Sequence, residues 1–536
     1  MNLLKRITFF KHILSIQKKY YIYIFFILLH LFLFNINTAE WGDSYRILRS
    51  AENIRRLTYE TKEKRPPLVA AAIAVRPNKV DAVTWGRVVM FVFSILSLVV
   101  FDKLVSIYIK DEKYQLISLL FFVFNPVYLY WSIRIMTDVP FSFFVLIAFY
   151  LLLKWKNSLN VKKSILLGFV CGLAILTRFE GYLLTLSIVV GVLYLNKEFL
   201  LRLIKPKVVI DIVIHKIRFL VPLGLTTLVV ILPWLVFRNP LDSKYLDEPE
   251  YRTYDLRMAW IYFVSILYLF GFSQFFYFIF KNPAGFIKFF KQNLGIAAFT
   301  LLELILVLVW PAAVPRLFIP IIPFLIIAFI SLLEKADARD SKARPLDICV
   351  IVFITFFYAL SQYVLKLQFL VASRNILIMI FLIQLVLMFM LVSNKRKGFM
   401  AIAVLSMLVW SMSIVYLHRN LYYSIKNASE YATNNLSGRV GYNDVNGVSN
   451  WYINWSGINK NIGGYYFEPL QKSDLDFKKI LKKNPDYLIL TNEHNPDMNF
   501  DFSKRPYLTV VKDFRYNVNG RDFFATVIKF NKDYYK

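Results

Sequence analysis

Long uninterrupted apolar runs, not alternation, set the pattern of this chain. YIYIFFILLHLFLF at residues 21–34 is the first. Such runs recur near 21–36, 86–109, 114–133, 140–154, 164–178, 181–195, 219–237, 259–280, 294–310, 316–333, 347–364, 375–393 and 399–417. A helix needs about 20 apolar residues to cross a hydrocarbon core about 30 Å thick, and backbone groups in lipid must be satisfied within the chain. The pattern therefore predicts an α-helical polytopic membrane protein of about thirteen spans and excludes a barrel. The short runs on either side of Arg178 could also form one re-entrant unit. The basic start MNLLKRITFFKHILSIQKKYY has no small-residue cleavage site after it, so it is read as part of a retained first span.

After residue 417 the pattern changes. Asn, Gly, Asp and Tyr rise, and short β-like runs such as DYLILT (486–491) and FFATVIKF (523–530) lie between Asn-Gly and Asn-Pro turn signals. The expected organisation is a transmembrane domain over 1–417, with a first outer loop at 37–85, and a soluble extracytoplasmic α/β domain over 418–536. The chain's three N-x-S/T sequons, at Asn427, Asn435 and Asn454, all fall in the second part and support outward placement weakly.

Composition agrees: 57% of residues are hydrophobic, 17% aromatic and 18% charged, too apolar for a soluble protein of 536 residues. The net charge of +29 would suggest nucleic acid in a soluble chain. Here topology explains it first, because basic residues accumulate in cytoplasmic loops. With the N-terminus inside, KWKNSLNVKK (154–163), KEFLLRLIKPK (197–207), KNPAGFIKFFK (281–291) and NKRKG (394–398) are cytoplasmic, and all are basic. Loop 37–85 breaks the rule, with nine Lys/Arg on the outer side. A ligand explains their retention better than topology does. Cys171 and Cys349 lie in apolar runs, and neither CxxC nor HExxH occurs.

The outer loops collect the ionisable groups with chemical interest: Asp43 with Arg46, Lys64 with Arg65, Arg134 with Asp138, Arg178 with Glu180, and Arg316. Each has a plainer reading. An arginine at a span end can snorkel to the headgroups, Asp138 can cap a helix, and Asp43 can begin an interfacial helix with Arg46 one turn on. Their gathering on one face suits transfer from a lipid-linked phosphate. Cations stabilise the charge growing on a phosphate leaving group, and a carboxylate takes the proton of an attacking hydroxyl. One base and no carboxylate nucleophile means a single displacement with inversion.

GDSYR in the first loop, KRPPL after it, TDVPFSFF, GLAILTRFEG and RLFIPIIPFL resemble, in order and spacing, the GT-C glycosyltransferases. The resemblance spans roughly residues 20–335. It is to the protein O-mannosyltransferase and aminoarabinose transferase group, which is glycosyltransferase family 39-like. It implies Asp43 as catalytic base and Arg46, Lys64, Arg65, Arg178 and Arg316 at the donor phosphate. Asp138 and Glu180 are then further acids, serving acceptor, metal or helix cap. The implied donor is a polyprenyl- or dolichyl-phosphate sugar, most commonly mannose in the family. The implied acceptor is a hydroxyl on protein, lipid or glycan, and the partners are membrane lipids with no nucleic acid. Asp43 and Asp138 could share a divalent metal, and the family is divided on metal use. The expected location is the plasma membrane, with the catalytic face outside. Ser44 stands where the mannosyltransferases usually have Glu, which leaves the acceptor class open, and there is no WWDYG-like motif. The alternative is a transporter or flippase of lipid-linked glycans. Glu303 in TLLELILVL, an intramembrane carboxylate, is its chief support.

Overall fold

The computed structural model describes residues 3–58, 63, 65–194, 206–237, 256, 258–260, 262, 266, 269–310, 314–337, 345–365, 374–393, 395–456, 461–468, 480, 482–493, 507–518 and 521–531. Two compact units emerge: Met1–Phe32 with Tyr59–Ile414, and Leu33–Thr58 with Val415–Lys536. The segment after the first span is thus grouped with the C-terminal residues.

The first unit is helical. It contains most of α1 (Leu3–Leu33), then α3 (Leu68–Ala74), α4 (Ala82–Tyr108), α5 (Glu112–Val123), α6 (Pro126–Ser132), α7 (Asp138–Lys154), α8 (Val161–Ile175) and α9 (Gly181–Leu193). Helices Pro206–Phe237, Leu294–Val309, Ile322–Asp337, Pro345–Leu365, Arg374–Val392 and Arg396–Leu417 follow. By length and composition three described helices can cross a membrane, or up to five if each bent pair is one span. The count of thirteen remains an expectation. The run 114–133, read as one span, is two helices bent by 54°. Asn125 and Pro126 cause the break: the Asn125 side chain accepts the amides of Val127 and Tyr128 at 3.1 and 2.9 Å, and proline starts α6.

Caps and small residues set the other boundaries. Asp81 and Asn160 cap α4 and α8 by accepting the amides of Thr84 (2.9 Å) and Lys163 (3.0 Å). A side chain at Gly168 of α8 would come within 2.3 Å of the Leu223 carbonyl, so α8 and Pro206–Phe237 pack backbone to backbone. Small residues allow such contact between helices that share an apolar solvent.

The second unit holds α2 (Gly42–Arg55), the helix Tyr423–Asn435 and a mixed sheet of β1 (Gly438–Tyr442), β2 (Ile462–Tyr466), β3 (Tyr487–Thr491), β4 (Leu508–Val518) and β5 (Arg521–Phe530). Its strand order is β2-β1-β3-β5-β4, parallel for β2-β1-β3 and antiparallel for β3-β5-β4. DYLILT and FFATVIKF form β3 and β5 as their pattern predicted. Leu488, Leu490, Ile528 and Phe530 share one core cluster of this sheet. The Asn443 side chain extends the β1-β3 ladder, exchanging bonds of 3.0 and 2.9 Å with the Thr491 backbone.

Burial, opposed by the donating Ser424 hydroxyl and reinforced by nearby Asp444, lifts the Glu493 carboxyl in this unit to about 8. The folded state therefore keeps a proton that the unfolded chain releases near the ordinary value of 4.5. Its stability is fully present below that value and falls as pH rises toward 8. Hydrogen exchange of 423–435 and 487–491 in the full chain, corrected for intrinsic rates, should lose protection between about pH 5 and 8. Glu493→Gln should flatten that dependence, and an unaltered pH profile in the variant would contradict the assignment.

Candidate functional site

The candidate residues fall into two groups, one in each compact unit. In the first unit, α8 ends at Ile175 and α9 begins at Gly181, with the turn LTRFEG between them. A side chain at Gly181 would lie 2.4 Å from the Ile175 amide, so only glycine closes this turn. The turn holds Arg178 buried at 9% exposure. Its guanidinium donates from Nη1 to Asp138 Oδ1, and from Nη2 and Nε (3.0 Å) to Glu180 Oε1. Asp138 sits in the first turn of α7 without capping it, since the capping residue is Thr137 and makes no side-chain bond. In that first turn the helix dipole favours the Asp138 carboxylate, which also pairs with Arg178. Both carboxylates are buried, so the pairs replace hydration that apolar surroundings cannot supply.

Further charges surround this triad. Burial raises the Glu180 carboxyl, but the Arg178 guanidinium, its hydrogen bonds and Arg316 outweigh that and hold it below its ordinary value. Half-buried Arg316 lies over the Trp131 ring at 5.3 Å and reaches Met136 Sδ at 3.4 Å. Arg134, fully buried, stacks on Tyr130 at 4.8 Å. Glu303, at 1% exposure, interacts electrostatically with Glu180, Arg178 and Asp138. The carboxylate that supported a transporter thus belongs to the same cluster. KRPPL is tied nearby: the Leu68 amide donates to the Leu176 carbonyl (2.8 Å), and the Arg65 amide donates to Glu63 Oε1 (3.1 Å). Lys64 lies outside the described residues.

The second unit carries Asp43 and Arg46 on α2, one turn apart, with Asp43 half-buried and Arg46 exposed. A side chain at Gly42 would lie 2.6 Å from Asn446 Oδ1, which explains the glycine of GDSYR. Asn446 is held by its own bond from Nδ2 to the Tyr422 hydroxyl at 2.8 Å. Beside α2 is a cavity of about 320 Å³. Tyr45, Arg46 and Arg49 form its helical wall, and the segment 444–455 with Tyr442 and Tyr466 forms the rest. Asp444 is locked there, accepting the amides of Asn446 (2.9 Å) and Ser449 (2.8 Å). Burial and Asp444 raise the Tyr442 hydroxyl, with Arg49 opposing them. The sequence reading missed 444–455, whose visible signal is the aromatic run WYINW after Asn-Gly. Among the described residues no group of three or more His, Cys, Asp or Glu is placed so that it could hold a metal ion. Asp43 and Asp138, the acids that could share a metal, belong to different compact units.

Residues 64–237 match the family described as dolichyl-phosphate-mannose-protein mannosyltransferase. The fold is similar to crystal structures of ArnT from Cupriavidus metallidurans. The structure bound to undecaprenyl phosphate has a TM-score of 0.57 at 14% identity, covering 94% of this chain and 97% of that one. The apo structure has the same TM-score and coverage at 12% identity. At these identities the likeness establishes a shared fold for this chain. No curated protein sequence matches it. The GT-C fold expected from the motifs is therefore the fold observed, as helices followed by a small C-terminal sheet.

Removing one partner from a buried ion pair costs about 3–5 kcal/mol, because the remaining charge has no compensation. Arg178→Ala should therefore lower the melting temperature of the purified protein markedly. Adding Asp138→Asn and Glu180→Gln should recover much of the loss. A triple variant no more stable than Arg178→Ala would show that charge pairing does not hold this turn.

Proposed function

We propose that this chain is a GT-C membrane glycosyltransferase that transfers a single sugar, mannose being the family's commonest, from a polyprenyl- or dolichyl-phosphate donor to an acceptor hydroxyl with inversion. The observation that carries the reading is the buried Arg178, fixed by Asp138 and Glu180 and accompanied by Arg316, at the ends of apolar helices. Fixed guanidiniums beside apolar helices suit a phosphate ester whose tail is lipid. Two further facts support it: the family matched over 64–237 is named for dolichyl-phosphate-mannose, and the ArnT crystal holds undecaprenyl phosphate.

In the proposed reaction the acceptor oxygen attacks the anomeric carbon as its proton passes to Asp43. The bond from that carbon to the phosphate oxygen breaks, and its electron pair leaves with the polyprenyl phosphate. Arg46, Lys64, Arg65, Arg178 and Arg316 contact that phosphate. Asp138 and Glu180 orient Arg178. The acceptor is a protein, lipid or glycan hydroxyl. The reading places the N-terminus in the cytoplasm, with loop 37–85 and the C-terminal domain outside the plasma membrane.

The test is transfer from a synthetic polyprenyl-phosphate sugar by purified protein. Asp43→Asn keeps the shape but removes proton acceptance, so turnover should fall by about 10²–10⁴-fold while donor binding survives. Arg65→Ala should weaken donor use by about 1.5–3 kcal/mol, one charge-assisted contact. Parental turnover in Asp43→Asn would refute the assigned base, and unchanged donor kinetics in Arg65→Ala would return that residue to a structural role.

A further inference from the structure

The cavity beside α2 has no role in the reaction as written so far. Its volume of about 320 Å³ falls near the lower end of the about 300–1,000 Å³ of small-molecule sites. It is sized for a compact ligand, not a polymer chain. Its lining combines the aromatic residues Trp451, Trp455 and Tyr466 with the polar residues Asp444 and Asn450. A sugar ring presents both kinds of surface: apolar C–H faces that lie on aromatic rings, and hydroxyls that need planar hydrogen-bonding partners.

We propose that this cavity receives the sugar unit of the lipid-phosphate donor, so that the C-terminal domain selects which sugar is transferred; the inference rests on the glycosyl-transfer reading above. Placement along α2 supports it. Arg46 lines the cavity, and Asp43 lies three residues earlier, about 4.5 Å along the axis at 1.5 Å per residue. A sugar seated in the cavity with its phosphate at Arg46 presents its anomeric carbon toward the turn that carries the base. The polar groups are also preorganised. Asp444 accepts two backbone amides, and Asn450 Oδ1 accepts from Asn454 Nδ2 at 2.7 Å. Asn454 is fixed in turn by exchanging bonds of 3.1 and 2.7 Å with the Gly464 backbone. Such groups discriminate among hydroxyl patterns because they cannot rotate to suit any sugar. With Arg46 on the phosphate, Arg49 and Asp444 leave one guanidinium and one carboxylate as the charged neighbours of the sugar.

The experiment measures binding to the purified full chain in detergent of three synthetic probes: polyprenyl phosphate, polyprenyl-phosphate mannose and polyprenyl-phosphate aminoarabinose. The variants are Trp455→Ala, Tyr466→Ala and Asn450→Ala, chosen because none of these side chains is fully buried. Each should bind bare polyprenyl phosphate within about twofold of the parent. Each should lose about tenfold for the sugar-bearing donor that the parent prefers, the size of one stacking or hydrogen-bonding contact. Unchanged binding of that donor in all three variants overturns the proposal, and so does an equal loss for bare polyprenyl phosphate. A parent that neither binds nor transfers any of these sugars overturns the transfer reading itself, a result distinct from the variant outcomes.

Discussion

A guanidinium at the end of apolar helices must be paired, and the first unit is arranged around that constraint at Arg178. Asp138 arrives on α7, Glu180 lies two residues away on the same turn, and Glu303 comes from the helix Leu294–Val309. Each acid is expensive in lipid-facing surroundings and acceptable only beside this cation. Gly181 lets the turn close tightly enough to aim the guanidinium, and the Leu68–Leu176 hydrogen bond fastens the KRPPL segment to it. A fixed cation of this kind is already oriented when a phosphate arrives, and preorganisation of that sort stabilises a leaving group without further rearrangement.

The second unit solves a different problem. Helix α2 carries GDSYR, and its own sequence shows an acid and an arginine one turn apart but nothing that would hold a substrate. Residues 442–456 and 462–466 place aromatic side chains, a locked carboxylate and an amide network beside α2. Asn446 packs against Gly42, so the helix start and the C-terminal segment fit only because that position has no side chain. The C-terminal domain is thereby part of the proposed substrate machinery and not only an appended module.

How far the sequence disclosed this follows from the range of each interaction. Helix positions were legible because an apolar run is a local signal, and β3 and β5 were legible as short β-like runs between turn signals. GDSYR, KRPPL and LTRFEG were legible as motifs. The break at Asn125-Pro126 was also local, yet the apolar run concealed it. What was not legible was pairing across tens to hundreds of residues. Nothing near Asp138 in the sequence revealed that Arg178, 40 residues on, takes its carboxyl, and the WYINW segment had no periodicity tying it to α2. The Arg178 cluster and the Asp43 helix belong to different compact units, so no local pattern announces them together.

The central claim is that sugar leaves its lipid phosphate in a single inverting step. Purified protein in liposomes, supplied with a polyprenyl-phosphate sugar labelled in both sugar and lipid, tests it directly. The account predicts free labelled polyprenyl phosphate released one for one with glycosylated acceptor, the new linkage having the opposite anomeric configuration to the donor. Retained configuration, or movement of the intact labelled lipid between leaflets without cleavage, would contradict it.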